Sequence, residues 1–290
     1  MQPIWKDFII TAPGDSAEYA VLLDGAVIYT GKAYRRPGAS AVEFTVNSVA
    51  ADYLRNAFPV LPPAGVDAVT EQANDAARAF AVSTAAGTTA VTFVNDYSFD
   101  DAVTDNQWRQ LLQIFADVDA RLPLVFSRVG SDPVNVIRVT TTPATITTGP
   151  LTWKLGAETC YRYALYFLNA FGGWSFVYLE AVKAAEDYAR KTAKRFYRTN
   201  DATARGSVNY VNEVTLRWTA KTPPLNDEQA GKIWHLSGSV AAVLYDMATA
   251  EAFPVNVTAG SWEEQTYRNQ GAKRPRYDIE LTLAQDRLRR

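Results

Sequence analysis

The 290-residue sequence is poor in the residue types that most enzymes use for chemistry. It contains one cysteine, Cys160, and one histidine, His235. A single cysteine excludes an internal disulfide framework and a multi-cysteine zinc site, and any Ser-His-Asp or Cys-His site would have to use His235. The chain also contains no GxGxxG, P-loop, GxSxG or HExxH motif. The sequence therefore predicts a protein that is not an enzyme, with no catalytic residue, cofactor or metal.

Long hydrophobic runs are absent as well. No stretch of 18 apolar residues occurs, and the start has neither the basic region nor the apolar core of a secretory signal. We expect no membrane span and synthesis in a cytoplasm. The net charge is only −2, but residues 1–150 carry 10 basic and 16 acidic side chains, whereas residues 151–290 carry 19 and 15. This weak asymmetry favours self-association over the capture of a polyanion.

Aromatic residues are abundant, with 15 Tyr, 13 Phe and 7 Trp, and together with β-branched residues they favour sheet. Asp24-Gly25 suits the type I′ turn of a hairpin formed by residues 18–23 and 26–34. A threonine-rich run that ends at Gly149-Pro150 predicts a boundary between a β-sandwich-like domain, 1–150, and a second domain, 151–290. Within the first domain we predict strands at 41–46, 79–83, 90–95 and 135–141, helical segments at 50–57 and 108–119, and a loop from 59 to 75.

The second domain begins with an apolar hairpin. Residues 161–168 are apolar or aromatic on both faces, which is typical of a central strand or of a subunit contact. Residues 169–173 are predicted to turn the chain and residues 174–179 to return it. Gly172-Gly173 is interpreted as a tight turn with Trp174 packed at the start of the strand, and the alternative is a tryptophan platform that stacks on a sugar.

A long strand and a short helix follow. Residues 207–219 alternate apolar and polar side chains, and Pro223-Pro224 ends the strand. Asn226 to Gln229 form a variant capping box for a helix that ends at Gly238. The predicted apolar stripe of this helix contains Ala230, Ile233, Trp234 and Leu236. A hairpin over 240–257 and a strand pair, 262–268 and 276–283, complete the chain. Residues 181–198 have the composition and spacing of a helix.

Several weaker candidates have an ordinary structural interpretation. Four carboxylates could bind Ca²⁺, but their spacing is not that of an EF-hand, and a solvated acidic loop is favoured. These are Asp96, Asp100, Asp101 and Asp105. A basic stretch with two aromatic residues could bind single-stranded nucleic acid, but a solvated face or subunit contact is favoured. It contains Lys191, Lys194, Arg195, Phe196, Tyr197 and Arg198. Cys160 is predicted to be a small core residue and His235 an ordinary helix residue, partly buried or on the surface.

The order of long strand, short helix, hairpin and final strand pair over 205–283 resembles the split-barrel fold of tail-tube, distal-tail and baseplate proteins of tailed bacteriophages. Local runs are similar to phage and prophage structural proteins from gut Bacteroidetes. These runs are YTGKAY at 29–34, ADYL at 51–54, YALYFLNAFGGW at 163–174, GSVNYVNEV at 206–214 and NQG at 269–271.

The resemblance implies a helix lying across a barrel, an extended strand rather than a helix at 181–198, and β-hairpins from neighbouring subunits that build a ring. We therefore predict a virion structural protein of the tail, neck or baseplate, with partners that are copies of itself and other phage proteins. The alternative is a carbohydrate-binding or host-attachment module. The predicted subunit contact consists of Tyr161, Tyr163, Leu165, Phe167, Trp174, Phe176, Tyr178 and Phe196.

Overall fold

The computed structural model describes residues 2–54, 58–63, 68–72, 77–94, 114–115, 117–127, 134–138, 144–148, 151–156, 158–194, 207–258, 275–284 and 287–288. These residues are mainly β, with two helices, which confirms the predicted fold class. The chain divides into two compact units, residues 1–159 with 167–175, and residues 160–166 with 176–290. The domain boundary predicted at residue 150 stays a prediction.

The first part of the chain contains a five-stranded sheet in the order β1-β8-β7-β3-β4, with smaller sheets β10-β11-β6, β12-β13-β9 and β2-β5. The strands are β1 (Gln2–Pro3), β2 (Ile9–Ala12), β3 (Ser16–Leu23), β4 (Ala26–Tyr34), β5 (Val42–Thr45), β6 (Ala68–Gln72), β7 (Ala77–Thr84), β8 (Gly87–Val94), β9 (Asp117–Asp119), β10 (Leu124–Ser127), β11 (Val134–Arg138), β12 (Ala144–Thr148) and β13 (Leu151–Gly156), and the helix is α1 (Asn47–Ala51).

The hairpin β3–β4 turns as predicted. Asp24 and Gly25 both have positive φ, at 51° and 82°, which is the requirement of a type I′ turn. The inward face of β3 places Val21 and Leu23 in a core with Phe80 and Phe93 from β7 and β8. The strands predicted at 79–83, 90–95 and 135–141 are confirmed wherever their residues are described, and the strand predicted at 41–46 is confirmed at Val42–Thr45.

Three predictions for this part of the chain are wrong in part. The helix predicted at 50–57 spans Asn47–Ala51 instead, with residues 55–57 outside the described residues, and buried Asn47 donates to the carbonyl oxygens of Ile4 and Lys6, both at 2.8 Å. The loop predicted from 59 to 75 contains β6, which pairs with β11. Pairing with a distant strand stabilises an extended segment that its own proline-rich surroundings do not predict.

The helix predicted at 108–119 is also wrong at its carboxyl end. Residues 117–119 form β9, which pairs in parallel with β13. Residues 108–113 and 116 lie outside the described residues. The apolar spacing that suggested a helix includes Val118, which is 1% exposed and packs inward from the strand. The threonine-rich run also contains a strand, β12, which pairs with β13.

The second part of the chain forms an eight-stranded sheet in the order β15-β14-β18-β19-β20-β17-β16, with β21 paired to β17. The strands are β14 (Tyr163–Leu168), β15 (Trp174–Leu179), β16 (Ala181–Lys194), β17 (Ser207–Lys221), β18 (Ala242–Asp246), β19 (Glu251–Thr258), β20 (Asp278–Leu283) and β21 (Arg287–Leu288), and the helix is α2 (Asp227–Ser237). The predicted strand at 262–268 lies outside the described residues.

The two ends of this strand order meet. Glu180 alone separates β15, at one end, from β16, at the other. Its backbone N–H donates to the carbonyl oxygen of Lys221 at 2.7 Å, one step beyond the Ala181–Lys221 pair of the β16–β17 ladder. The β15–β16 segment therefore pairs with β14 through its first half and with β17 through its second half, and the sheet closes into a barrel. Closure protects the backbone of the paired strands without a covering layer.

The helix α2 follows the sequence prediction closely. Asn226 Oδ1 accepts from the Gln229 N–H at 2.7 Å, and Gln229 Oε1 accepts from the Asn226 N–H at 3.0 Å, so the capping box is complete. Ala230, Ile233 and Leu236 are buried. Trp234 is 38% exposed, so its assignment to the apolar stripe is wrong. A residue adjacent to Ile233 lies about 100° around the helix from it, which is enough to leave the buried face.

Candidate assembly surface

Most residues of the predicted subunit contact lie in the interior of the chain. Tyr161 and Tyr163 are partly exposed, and Phe196 lies outside the described residues. The other five side chains are at most 6% exposed: Leu165, Phe167, Trp174, Phe176 and Tyr178. Their role in a subunit contact stays a prediction, but their burial means that they do not form an accessible patch in the folded chain.

A buried asparagine fixes the turn between β14 and β15. Asn169 Oδ1 accepts from the backbone N–H groups of Phe171 and Gly173, both at 3.0 Å, and its Nδ2 donates to Ser175 Oγ at 3.0 Å. Gly172 has φ of +78°, where a side chain would be strained. These contacts confirm the predicted tight turn, which was located from the glycines alone, without the role of Asn169.

Trp174 packs at the start of β15 against Phe58, with ring centroids 5.0 Å apart in an edge-on arrangement. It is 2% exposed. Stacking on a sugar requires an exposed ring face. The alternative interpretation of Trp174 as a sugar platform therefore has no accessible ring to support it.

The strands β16 and β17 form the longest paired ribbon of the described chain. Their ladder runs from the Ala181–Lys221 pair to the Lys194–Ser207 pair, with one irregularity between Lys191 and Thr192. Residues 181–194 are thus extended, as the resemblance implied, and the helix suggested by their composition is wrong. Cross-strand pairing with β17 outweighs the helix propensity of alanine and lysine. Residues 195–198 lie outside the described chain.

Within the described residues, one part of the ribbon pairs only with itself. Within β17, Arg217–Lys221 pair with β20, and Glu213 and Val214 pair with β21. Among the described residues, 207–212 pair with β16 alone. Fourteen residues of β16 span about 45 Å at the rise of a β-strand. A two-stranded ribbon is marginally stable in water when no third strand or other element packs on it, so we expect this part to gain from a partner strand.

The described side chains of the ribbon are largely exposed. From Lys183 to Tyr188 every side chain of β16 is exposed, and Tyr188 is 55% exposed. On one face Asp187 forms an ion pair with Arg217 of β17 at 2.9 Å, with both side chains more than half exposed. On the other face Leu216 and Trp218 of β17 are half-buried. The ribbon therefore has one polar face and one partly apolar face.

We call the side of β16 that does not pair with β17 the outer edge. In the part of the chain that the structure describes, no strand pairs with this edge. An unpaired edge presents a row of backbone N–H and C=O groups, which another strand can bind by adding to the sheet. The outer edge is consequently a backbone surface that a strand of a protein partner can extend.

Buried carboxylates elsewhere serve as internal links. Asp119 accepts five hydrogen bonds, three from Arg121 and two from Thr159, at 2.6–3.0 Å. Burial would raise the pKa of Asp119, but the hydrogen bonds from Arg121 and Thr159 outweigh it and hold the pKa below its usual value. This carboxylate ties the segment before β14 to the end of β9.

Asp246 makes a comparable link at the end of β18. It accepts from Arg162 Nη2 at 2.7 Å and Nε at 3.0 Å, and from the Ala248 N–H at 2.9 Å. Burial would raise the pKa of Asp246, but the hydrogen bonds from Arg162 and Ala248 outweigh it, and the pKa lies below its usual value. Because Arg162 immediately precedes β14, the pair fastens the open end of the β14–β15 hairpin to β18.

The remaining candidate residues do not converge on a site. Cys160 is exposed, so its predicted place in the core is wrong, because it lies in the irregular segment ahead of β14. His235 is half-buried on α2, as predicted, and burial lowers its pKa. The acidic residues at 96, 100, 101 and 105, like the basic and aromatic residues at 195–198, lie outside the described chain.

Searches for wider features of the described residues give a similar picture. No group of three or more His, Cys, Asp and Glu side chains is placed among them to hold a metal ion. None of their helices is long and apolar enough to cross a membrane. A scan against models of protein families matched none of them, and searches of curated proteins and of solved structures found no significant match. The function must therefore be argued from the chain itself.

Proposed function

We propose that this chain is a structural subunit of a tailed-bacteriophage virion, of the tail, neck or baseplate type, which assembles into a ring through the β16–β17 ribbon. The observation that carries the proposal is the ribbon itself. It is long, part of it pairs only within the ribbon among the described residues, most of its described side chains are exposed, and its outer edge is unpaired among the described residues. These are the properties that a strand needs when its partner belongs to another subunit.

The barrel and the ribbon have different roles in this proposal. The closed barrel supplies a stable body whose strands are paired within the chain, whereas the ribbon provides main-chain groups and side chains to a neighbour. A contact between two different surfaces of the same protein generates a ring when its rotation closes. The opposite charges of residues 1–150 and 151–290, about −6 and +4, support a head-to-tail arrangement.

The remaining parts of the proposal follow from this role. The subunit is synthesised in the host cytoplasm and functions in the virion, where its partners are other copies of itself and neighbouring structural proteins. Its function is to provide shape, and it carries out no catalysis. The barrel fold and the extended ribbon support the resemblance to split-barrel phage proteins, because that resemblance requires both features.

The experiment compares the intact chain with a short-ribbon variant. Replacing residues 191–211 by Asn-Gly would join Arg190 to Asn212, which are paired residues, through a two-residue hairpin turn. The variant keeps every pair that β17 makes with β20 and β21. We expect light scattering and electron microscopy at about 50 μM to show rings of the intact chain and monomers of the variant.

Circular dichroism and thermal unfolding of the variant provide the control, because an intact barrel should retain its strand signal and unfold cooperatively. An intact chain that stays monomeric under the same conditions, with no ring visible by microscopy, would contradict the proposal. Rings that persist in the short-ribbon variant would show that the contact lies elsewhere.

A further inference from the structure

The charged residues near the middle of β16 occur in a distinctive order along the strand. Two acidic residues, Glu186 and Asp187, are followed by two basic residues, Arg190 and Lys191. We propose that β16 pairs across its outer edge with β16 of a second copy of the chain, antiparallel around a two-fold axis near Tyr188 and Ala189. The proposal goes beyond the virion role and does not depend on it.

The charge order distinguishes between the possible ways of pairing two copies. In an antiparallel pair the two strands run in opposite directions, so the acidic residues of each copy face the basic residues of the other. In a parallel pair in register, each residue would lie beside its own copy and like charges would meet. Opposite charges across a sheet stabilise it and like charges destabilise it, so the sequence favours the antiparallel arrangement.

Backbone geometry restricts the register further. Alternate residues of a strand direct their N–H and C=O groups to the same edge, so in a symmetric antiparallel pair the two facing residue numbers must be both odd or both even. A pair centred on Tyr188 places Glu186 opposite Arg190. A pair centred on Ala189 places Asp187 opposite Lys191. These two registers satisfy the backbone condition and also match the charges.

The side chains at the outer edge also permit a close approach. Ala184 and Ala185 are exposed and small, so they present no bulky obstacle to a neighbouring strand. Tyr188, which is 55% exposed, would be covered by a partner strand in either register. Charged residues normally protect a free edge from pairing with arbitrary strands, because they would lie opposite unmatched groups. The same charges admit a partner whose order is complementary, which an antiparallel copy provides.

The proposed dimer has a consequence for assembly. A strand edge pairs with one partner strand at a time, so the two-fold dimer would occupy the outer edge and compete with any ring contact made there. Since the contact depends on pairs of opposite charges, high salt should weaken it. The two-fold dimer and the ring are therefore alternative assemblies of the same edge, with the dimer expected at low salt and the ring at high salt.

Two charge-reversal variants test the proposal. Glu186→Lys with Asp187→Lys makes the stretch basic, and Arg190→Glu with Lys191→Glu makes it acidic. In either register two like-charged pairs would then replace two favourable ones, and we expect each variant alone to dimerise at least about 10-fold more weakly than the native chain. An equal mixture of the two variants should regain dimers, and so should the chain that carries all four substitutions. Sedimentation velocity from about 1 to about 100 μM would measure all of these species.

Cysteine cross-linking tests the position of the axis. In a Cys160→Ser background, which removes the native exposed thiol, Tyr188→Cys or Ala189→Cys should form a disulfide-linked dimer, because one of them faces itself across the axis. Lys183→Cys is the matched control, since it lies far from the axis and should stay unlinked.

The outcomes separate this inference from the proposed virion role. A native chain that is monomeric throughout the concentration range would overturn the two-fold contact, as would charge variants that fail to regain dimers when mixed. A larger ring whose mass is unchanged by either pair of substitutions would overturn the two-fold contact while supporting the proposed ring. Dimers that are lost in each variant and regained in the mixture would support the two-fold contact.

Discussion

The β14–β15 hairpin and the β16–β17 ribbon are consecutive in the chain and are joined by Glu180, but they differ in almost every physical property. The hairpin is rich in aromatic and aliphatic residues, and its side chains from Ala164 to Leu168 and from Trp174 to Leu179 are all buried. The ribbon is longer, its first strand is rich in alanine and charge, and its described side chains are mostly exposed.

The difference shows how burial divides between two neighbouring hairpins, and the proposed function assigns association to the exposed one. An apolar sequence on both faces of a strand led to the prediction of a subunit contact, but such a strand is also suited to the interior of a single chain. A subunit that must stay soluble before it assembles needs contact surfaces that water tolerates. Small and charged residues on an open strand edge meet this requirement better than aromatic residues do.

The test with the largest expected effect makes the same kind of substitution, leucine to alanine, once in the hairpin and once in the ribbon. Leu165→Ala removes a side chain with 0% exposure from β14, and we expect a loss of about 2–5 kcal/mol in the free energy of unfolding. Leu216→Ala makes the same change at a half-buried position of β17, where a loss of about 1 kcal/mol is expected. Urea denaturation monitored by tryptophan fluorescence would measure both losses.

Equal losses in the two variants would contradict the comparison, because they would mean that the ribbon is packed as tightly as the hairpin. The measurement should be made at the lowest practical protein concentration, so that association through the ribbon does not add to the stability of the native chain.

The turn of the hairpin offers the next test. Asn169→Ala removes the Oδ1 acceptor of the Phe171 and Gly173 N–H groups and the Nδ2 donor to Ser175 Oγ. The two backbone N–H groups then lose the acceptor that Asn169 provides. We expect a loss of about 2–3 kcal/mol, since unpaired buried donors retain their full desolvation cost. Thermal unfolding would measure it. Ser175→Ala, which removes only one of these partners, should cost less, and a larger loss from Ser175→Ala than from Asn169→Ala would contradict this account of the turn.

An aspartate–arginine pair lies beside each region: buried Asp246 pairs with exposed Arg162 just before β14, and Asp187 pairs with Arg217 on the ribbon, where both are exposed. Asp246→Asn weakens the pair that fastens the hairpin to β18, and a loss of about 1–2 kcal/mol is expected at neutral pH. Asp187→Asn weakens the exposed pair on the ribbon, and its effect should stay within about 0.5 kcal/mol. Denaturant titrations of both variants would measure these values.

The pair of Asp246 and Arg162 should stabilise the chain in a way that depends on pH, and the direction of that dependence can be stated. The pKa of Asp246 is lower in the folded chain than its unfolded value of about 3.9, so its contribution is complete above that value and is lost as the pH falls through the folded pKa. The difference between the native chain and Asp246→Asn should therefore shrink below about pH 4. A difference that grows as the pH falls would contradict the assigned direction.

Much of this fold could be predicted because its signals are local. The Asp24-Gly25 turn, the capping box at Asn226 and the alternation of Ile279 and Leu281 with Asp278 each depend on residues that are close in sequence. The segments that were predicted wrongly depend on distant partners. β6 is extended because it pairs with β11, and β9 is extended because it pairs with β13.

The candidate surface was harder to predict for the same reason. The alanine and lysine content of β16 favours a helix, and only the pairing of 14 residues with β17 makes it a strand. Its outer edge becomes visible only when the order of the whole sheet is known. The charge order of Glu186, Asp187, Arg190 and Lys191 was present in the sequence, but it predicts a contact only on an extended strand that has one edge unpaired among the described residues.

The prediction with the smallest expected effect makes the same substitution, alanine to threonine, in both regions. The change in the free energy of unfolding should be opposite in sign in the two regions. Ala185 is exposed on β16 opposite Arg217, and Ala185→Thr should stabilise the chain by up to about 0.5 kcal/mol, because threonine favours the extended backbone. Ala164 is 0% exposed on β14, and there the same change adds a methyl group and a hydroxyl to a filled interior, at a cost of about 1–3 kcal/mol. Thermal unfolding at one protein concentration would measure both variants. If Ala185→Thr destabilised the chain as much as Ala164→Thr, β16 could not be the open strand described above, since added bulk is harmless only where a side chain meets solvent.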